Sequence, residues 1–231
     1  DTDTAIYVVA RQAGEGGDRR MEKGDFLLAD AEYTNIAECA KRYKNFLLVI
    51  NIGSIIDLSF LDSIDNIGAV LFFVQGGTEG GNAFADLVTG KVSPSGKLTD
   101  TWGMRYADYP SDETFSYLNG ELEEENYYEG IYAGYRWFDA MDIAPRFPFG
   151  FGLSYTQFEH SVKAVSVRDG KVQLSVSVKN IGDTYSGKEV LQCYLAKPQG
   201  RLSHEKYSLV AFAKTPLITM GESAEVSLQF D

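Results

Sequence analysis

The sequence predicts an α/β region followed by an all-β region, and three observations carry that reading. From residue 1 to about 103, wholly apolar runs alternate with segments of helical spacing. Strands apolar at every position are buried on both faces, so this alternation describes a mainly parallel sheet covered by helices on both sides. From about residue 158, apolar residues recur at every second position, the mark of short strands with one face in a core. The stretch between, 104–157, is aromatic-rich and keeps no period. We therefore expect an α/β sandwich over 1–157, including the aromatic connection, and a β-sandwich over 158–231.

The elements follow in order. Ala5-Ile6-Tyr7-Val8-Val9 places a first strand over 6–11. Asp30 is a plausible N-cap for a helix over 31–43, with Ile36, Ala37, Ala40 and Tyr43 on one face. Phe46-Leu47-Leu48-Val49-Ile50-Asn51-Ile52 is a second strand, ended by Gly53-Ser54. A short helix is expected over 57–61 and a third strand over 69–74. Gly76-Gly77 then opens a helix through Ala83 to Val88. In the second region the runs 172–178, 189–195, 209–212 and 224–230 read as strands. Tyr127, Tyr128, Tyr132, Tyr135, Trp137 and Phe138 form either a carbohydrate-stacking wall or an aromatic-packed seam. The seam is favoured, because aromatics fill such joins efficiently. The acidic run Glu121, Glu123, Glu124 and Glu125 reads as a solvated face.

Composition narrows the function classes. The 231 residues are 44% hydrophobic, enough for a real core, with a formal net charge of −12. That charge argues against nucleic acid or an anionic membrane as partner. No apolar run approaches the roughly 20 residues of a spanning helix. The first residues lack the basic-then-apolar pattern of a signal peptide, and the chain reads as beginning mid-protein, so the compartment, cytoplasmic or secreted, stays open. Cys39 and Cys193 are expected as free thiols, and with His160 and His204 they give no metal-ligand spacing, so no metal and no cofactor are expected.

The chemistry centres on Ala10-Arg11-Gln12-Ala13-Gly14-Glu15-Gly16-Gly17-Asp18-Arg19-Arg20. Glycines at a strand end allow unusual backbone angles and close approach, and α/β sheets place their chemistry at the C-terminal ends of strands. On residue type alone Glu15 would be a solvated carboxylate; in this setting it is the candidate proton donor. Asp18 and Arg19 are candidates for supporting it. Arg19 either orients the segment or touches substrate, or simply pairs with Asp18, Glu22 or Asp25. A dinucleotide-binding turn is a poor fit: its third glycine falls on Arg19, and Glu15 would repel a pyrophosphate. A P-loop fails because Leu98 follows Gly96-Lys97.

This segment, with Gln75-Gly76-Gly77-Thr78-Glu79-Gly80-Gly81-Asn82-Ala83, Gly90-Lys91-Val92-Ser93-Pro94-Ser95-Gly96-Lys97-Leu98, Tyr128-Glu129-Gly130-Ile131-Tyr132-Ala133-Gly134-Tyr135-Arg136 and Phe147-Pro148-Phe149-Gly150-Phe151-Gly152-Leu153-Ser154-Tyr155-Thr156, resembles family 3 glycoside hydrolases, the β-glucosidase-like enzymes, in the family's order. Phe151 departs from the family pattern. The resemblance implies the second half of the family's α/β-sandwich domain plus a fibronectin type III-like β-sandwich, incomplete after Asp231. It implies a retaining exo-β-glycosidase, most simply a β-glucosidase acting on β-glucosides or oligosaccharides, with Glu15 as general acid/base. The nucleophilic aspartate then belongs to a barrel domain absent from this chain, a partner before or after it, and the fragment alone is expected to be inactive. A homo-oligomer is compatible. The alternatives are a non-catalytic carbohydrate-binding or scaffold module, and a β-xylosidase of the same family.

Overall fold

Residues 46–50 form the middle of a three-stranded parallel sheet. In the computed structural model, which describes residues 2–12, 18–115, 123–124, 126–198 and 200–231, the chain divides into two units. One comprises Asp1–Phe84 and Gly103–Tyr127, the other Ala85–Trp102 and Tyr128–Asp231.

In the first unit, β1 (Thr4–Ala10), β2 (Asn45–Asn51) and β3 (Ala69–Phe72) lie in the order β1-β2-β3, all parallel. Val8 sits beside Val49, and Val49 beside Leu71. Helix α1 (Asp30–Arg42) covers the face carrying Tyr7, Val9, Leu48 and Ile50: its Ile36 and Ala40 are buried, and Asn35 Nδ2 donates to Tyr7 Oη at 3.4 Å. On the other face of β1, Ile6 and Val8 are 47% and 49% exposed among the described residues. Among the described residues the expected cover on both faces is seen on one side of this strand only. An apolar run reports what a strand can bury, whereas β1 is outermost in the described sheet and its cover depends on what lies against it.

Three local expectations shift for identifiable reasons. Asp30 is the first helical residue, not the cap; Ala29 precedes the helix, and the Glu32 carboxylate accepts its N–H at 2.8 Å. Residues Ser59–Asp62 make one 3₁₀ turn in place of the helix expected over 57–61. Strand β3 stops at Phe72 because Val74 has φ of 25°, a positive value that costs a β-branched residue dearly. Gly76 follows, and a Cβ there would meet the Phe73 ring at 2.7 Å and Gly80 Cα at 2.9 Å. Helix α2 (Gly80–Val88) then runs through the point where the chain passes from the first unit to the second.

In the second unit, β4 (Phe158–Arg168), β5 (Lys171–Asn180) and β8 (Ser223–Phe230) form an antiparallel sheet, and β6 (Val190–Ala196) pairs antiparallel with β7 (Tyr207–Lys214). Alternate residues of β5 and β8, with Leu191 and Ile218, make the core: Val176, Val178, Val226 and Leu228. Helix α3 (Tyr135–Ala140) forms inside the stretch expected to be irregular. Its Phe138 is buried, and the Tyr135 ring packs on Phe149 and edge-on against Tyr194. That is the packed seam, yet Tyr127 and Tyr128 take no part in it, at 78% and 75% exposed. Cys39 and Cys193 are free.

Candidate active site

Parallel strands deliver their C-terminal ends to one edge of the sheet, so the chain leaving β1 at Ala10, β2 at Asn51 and β3 at Phe72 emerges on one side. Residues 13–17, with Glu15, lie outside the described residues. Both flanks of that stretch are described, and both are fixed by arginines.

Before it stands Arg11, whose side chain is 7% exposed. Its two terminal nitrogens donate to Glu32 Oε1 and Oε2 at 2.6 and 2.7 Å, a fork-on-fork pair. Its Nε donates to the Asp25 carbonyl at 2.8 Å, and further bonds reach the carbonyls of Ala10 and Leu27. A charge this buried needs every donor occupied, and Arg11 has that. Burial pushes the Glu32 carboxyl up, but the hydrogen bonds from Arg11 and the Ala29 N–H, with the Arg11 charge, outweigh it and hold the group below its ordinary 4.5.

After it stands Arg19. Its Nε donates to Ser54 Oγ at 2.9 Å, beyond the end of β2, and its terminal nitrogen pairs with Asp25 Oδ1 at 2.5 Å. The Arg20 N–H donates to the other oxygen, Asp25 Oδ2, at 2.8 Å. The structural pairing of Arg19 is therefore present, with Asp25, one of the three acids named from sequence. Asp18 is exposed. Asp25 itself is carried on a tight turn in which Gly24 and Leu27 exchange a backbone hydrogen bond, and the neighbouring Phe26 is buried against the Tyr106 ring.

Sequence reasoning passed over Arg11, Glu32 and Ser54. An arginine closing an otherwise apolar strand was one signal. A glutamate three places after Ala29, in the capping position, was another.

Among the described residues no three His, Cys, Asp or Glu side chains are grouped to hold a metal. A groove of about 360 Å³ between β7 and β8 is lined by Leu209, Phe212 and Leu228 among others, with no acid or base, so it offers nothing for proton transfer.

A family model described as the glycosyl hydrolase family 3 C-terminal domain matches residues 1–155. The chain belongs to glycosyl hydrolase family 3. A β-glucosidase of Ruminococcus albus is 39% identical over 230 residues, 99% of this chain and 23% of that protein. The crystal structure of a β-glucosidase from Paenibacillus barengoltzii superposes with a TM-score of 0.92 at 39% identity, covering 99% of this chain and 25% of that one. β-Glucosidase 3B from Thermotoga neapolitana, solved in complex with glucose, gives 0.90 at 37% identity, over 99% of this chain and 32% of that one. The chain thus spans 23% to 32% of the length of these family 3 proteins. Within that family 3 span, the described site is a pair of arginine anchors around one short stretch of chain.

Proposed function

We propose that this chain carries the general acid/base of a retaining exo-β-glucosidase, and that Glu15 is that residue. The observation that supports it is the fixing of the chain on both sides of Glu15, at the edge where a parallel sheet presents its reactive groups. The family 3 relatives, named as β-glucosidases, supply the substrate class. In this reading residues 1–157 are the acid/base-bearing part of an α/β sandwich and 158–231 a fibronectin type III-like domain.

Retaining hydrolysis sets two carboxyl groups roughly 5–5.5 Å apart across the scissile bond. The nucleophilic aspartate comes from a barrel domain outside this chain. Glu15 protonates the leaving oxygen as the glycosyl-enzyme forms, then takes a proton from the water that releases glucose. Neighbouring glycines leave room for the side chain to reach a sugar bound on another domain. Asp18 and Arg19 support the segment.

The test uses the full-length enzyme with Glu15→Ala and an aryl β-glucoside bearing a good leaving group. The variant stalls as the glycosyl-enzyme, and azide, which needs no base, restores the rate and yields the β-glycosyl azide. Wild-type turnover by Glu15→Ala removes the assignment. Residues 1–231 alone turn over nothing, since they lack the nucleophile.

A further inference from the structure

Asp25 makes two kinds of contact at once, and they run to opposite sides of the stretch that holds Glu15. Its carbonyl accepts from Arg11 Nε at 2.8 Å, on the near side. Its carboxylate accepts from Arg19 at 2.5 Å and from the Arg20 N–H at 2.8 Å, on the far side. Chain separated by eight residues in sequence is thereby tied to a single residue. We propose that Asp25 is a positioning residue for the reaction: by holding Arg11 on one flank and Arg19 and Arg20 on the other, it ties together both ends of the stretch of sequence that carries Glu15.

Two further contacts make the anchor rigid. Arg11 is locked by its fork on Glu32 at the start of α1, and Arg19 by Ser54 beyond β2. The two flanking arginines are thus referred to the helix and to the end of a sheet strand, both regular elements. A proton donor must meet the leaving oxygen at hydrogen-bond distance, so a displacement of about 1 Å costs much of its effect. Arginine suits both positions because its planar fork fixes direction as well as distance, which a lysine ammonium does not.

The inference rests on Glu15 being the acid/base, and the experiment separates the two. In the full-length enzyme, kcat/KM is measured for Asp25→Asn, Arg19→Lys and Glu15→Gln on 2,4-dinitrophenyl β-glucoside and on cellobiose. kcat/KM reports the first bond cleavage, which needs the acid only when the leaving group is poor. Misplacing the acid therefore costs activity selectively. Asp25→Asn is expected to lose about tenfold or more on cellobiose and less than about twofold on the dinitrophenyl substrate, a fraction of the roughly 100- to 10,000-fold a positioned acid supplies. Arg19→Lys follows the same pattern and serves if Asp25→Asn does not fold. Equal loss on both substrates, or none, overturns the anchor: a merely structural residue lowers the amount of active enzyme without regard to leaving group. If Glu15→Gln shows no leaving-group dependence, the assignment of Glu15 falls and the proposal with it. If Glu15→Gln shows it and Asp25→Asn and Arg19→Lys do not, the anchor alone falls.

Discussion

At the end of β1 the chain is held by guanidinium–carboxylate pairs; at the end of β5 it is held by one neutral amide. Asn180 closes β5 with no exposed surface. Its Oδ1 accepts from Thr156 Oγ at 2.5 Å and the Gly182 N–H at 3.0 Å, and its Nδ2 donates to the Tyr185 and Ile218 carbonyls at 2.9 and 3.0 Å. Both donors and both lone-pair sites are used, so the group is fully satisfied and carries no charge to desolvate. The Arg11–Glu32 and Arg19–Asp25 pairs are only partly shielded, with carboxylates 21% and 32% exposed, so salt screens them. The sandwich therefore uses a fixed, insensitive tie. The sheet edge uses directional, charged ones.

The comparison breaks most visibly at Asn180. Asn180→Ala takes the partner from the Tyr185 carbonyl, the Gly182 N–H and the Thr156 hydroxyl, while the Ile218 carbonyl keeps the Gly187 N–H; each group left unpaired costs about 1–3 kcal/mol. A loss of about 3–5 kcal/mol is expected in the hydrogen-exchange stability of β5 within the full-length protein. A loss below about 1 kcal/mol would mean water replaces the amide and the tie is not what holds the turn.

Arg11→Ala sharpens the contrast. It leaves Glu32 without its fork, but that carboxylate can turn to water, so about 1–2 kcal/mol is expected in exchange at β1 and the start of α1. The pH dependence identifies the cause. The Glu32 carboxyl sits below 4.5 in the folded protein, so its contribution is present in full above 4.5 and is lost as pH falls through the folded value. Arg11→Ala flattens that acid limb; an unchanged limb assigns it to other carboxylates.

The smallest effect lies in the second unit. The Ser208 hydroxyl, together with the Glu205 backbone N–H and Lys197, holds the Glu205 carboxyl at about 2. Any stability from this group is present above 4.5 and fades toward pH 2. Ser208→Ala is expected to move the Glu205 titration, followed by carboxyl carbon NMR, upward toward 4.5, with little change in folding.

The same contrast explains what could be read from sequence. The wholly apolar β2 and the alternating β5 and β8 were legible because their burial is a property of their own residues. β4 was not recognised as an element, since a bulge between Val162 and Ala164 breaks its period and both sides are largely exposed. α3 is capped by Gly134, whose φ of 57° no pattern announces. Glu15 was placed by the glycines around it and by family likeness. The anchors were hidden because they join residues far apart: Arg11 meets Glu32 21 positions on, and Arg19 meets Ser54 35 positions on.

The interleaving of the two units sets the order in which the chain can be completed during synthesis. The first unit needs residues 103–127, and the second has already begun at 85. As the ribosome releases the chain, residues 85–102 emerge before the first unit can close and must wait for 128 and beyond before their own partners exist. Trp102 illustrates the delay: its backbone pairs with Phe147, 45 residues later. For that interval Trp102 is without its bridge partner, which is when a nascent chain is most open to chaperones and to mispairing.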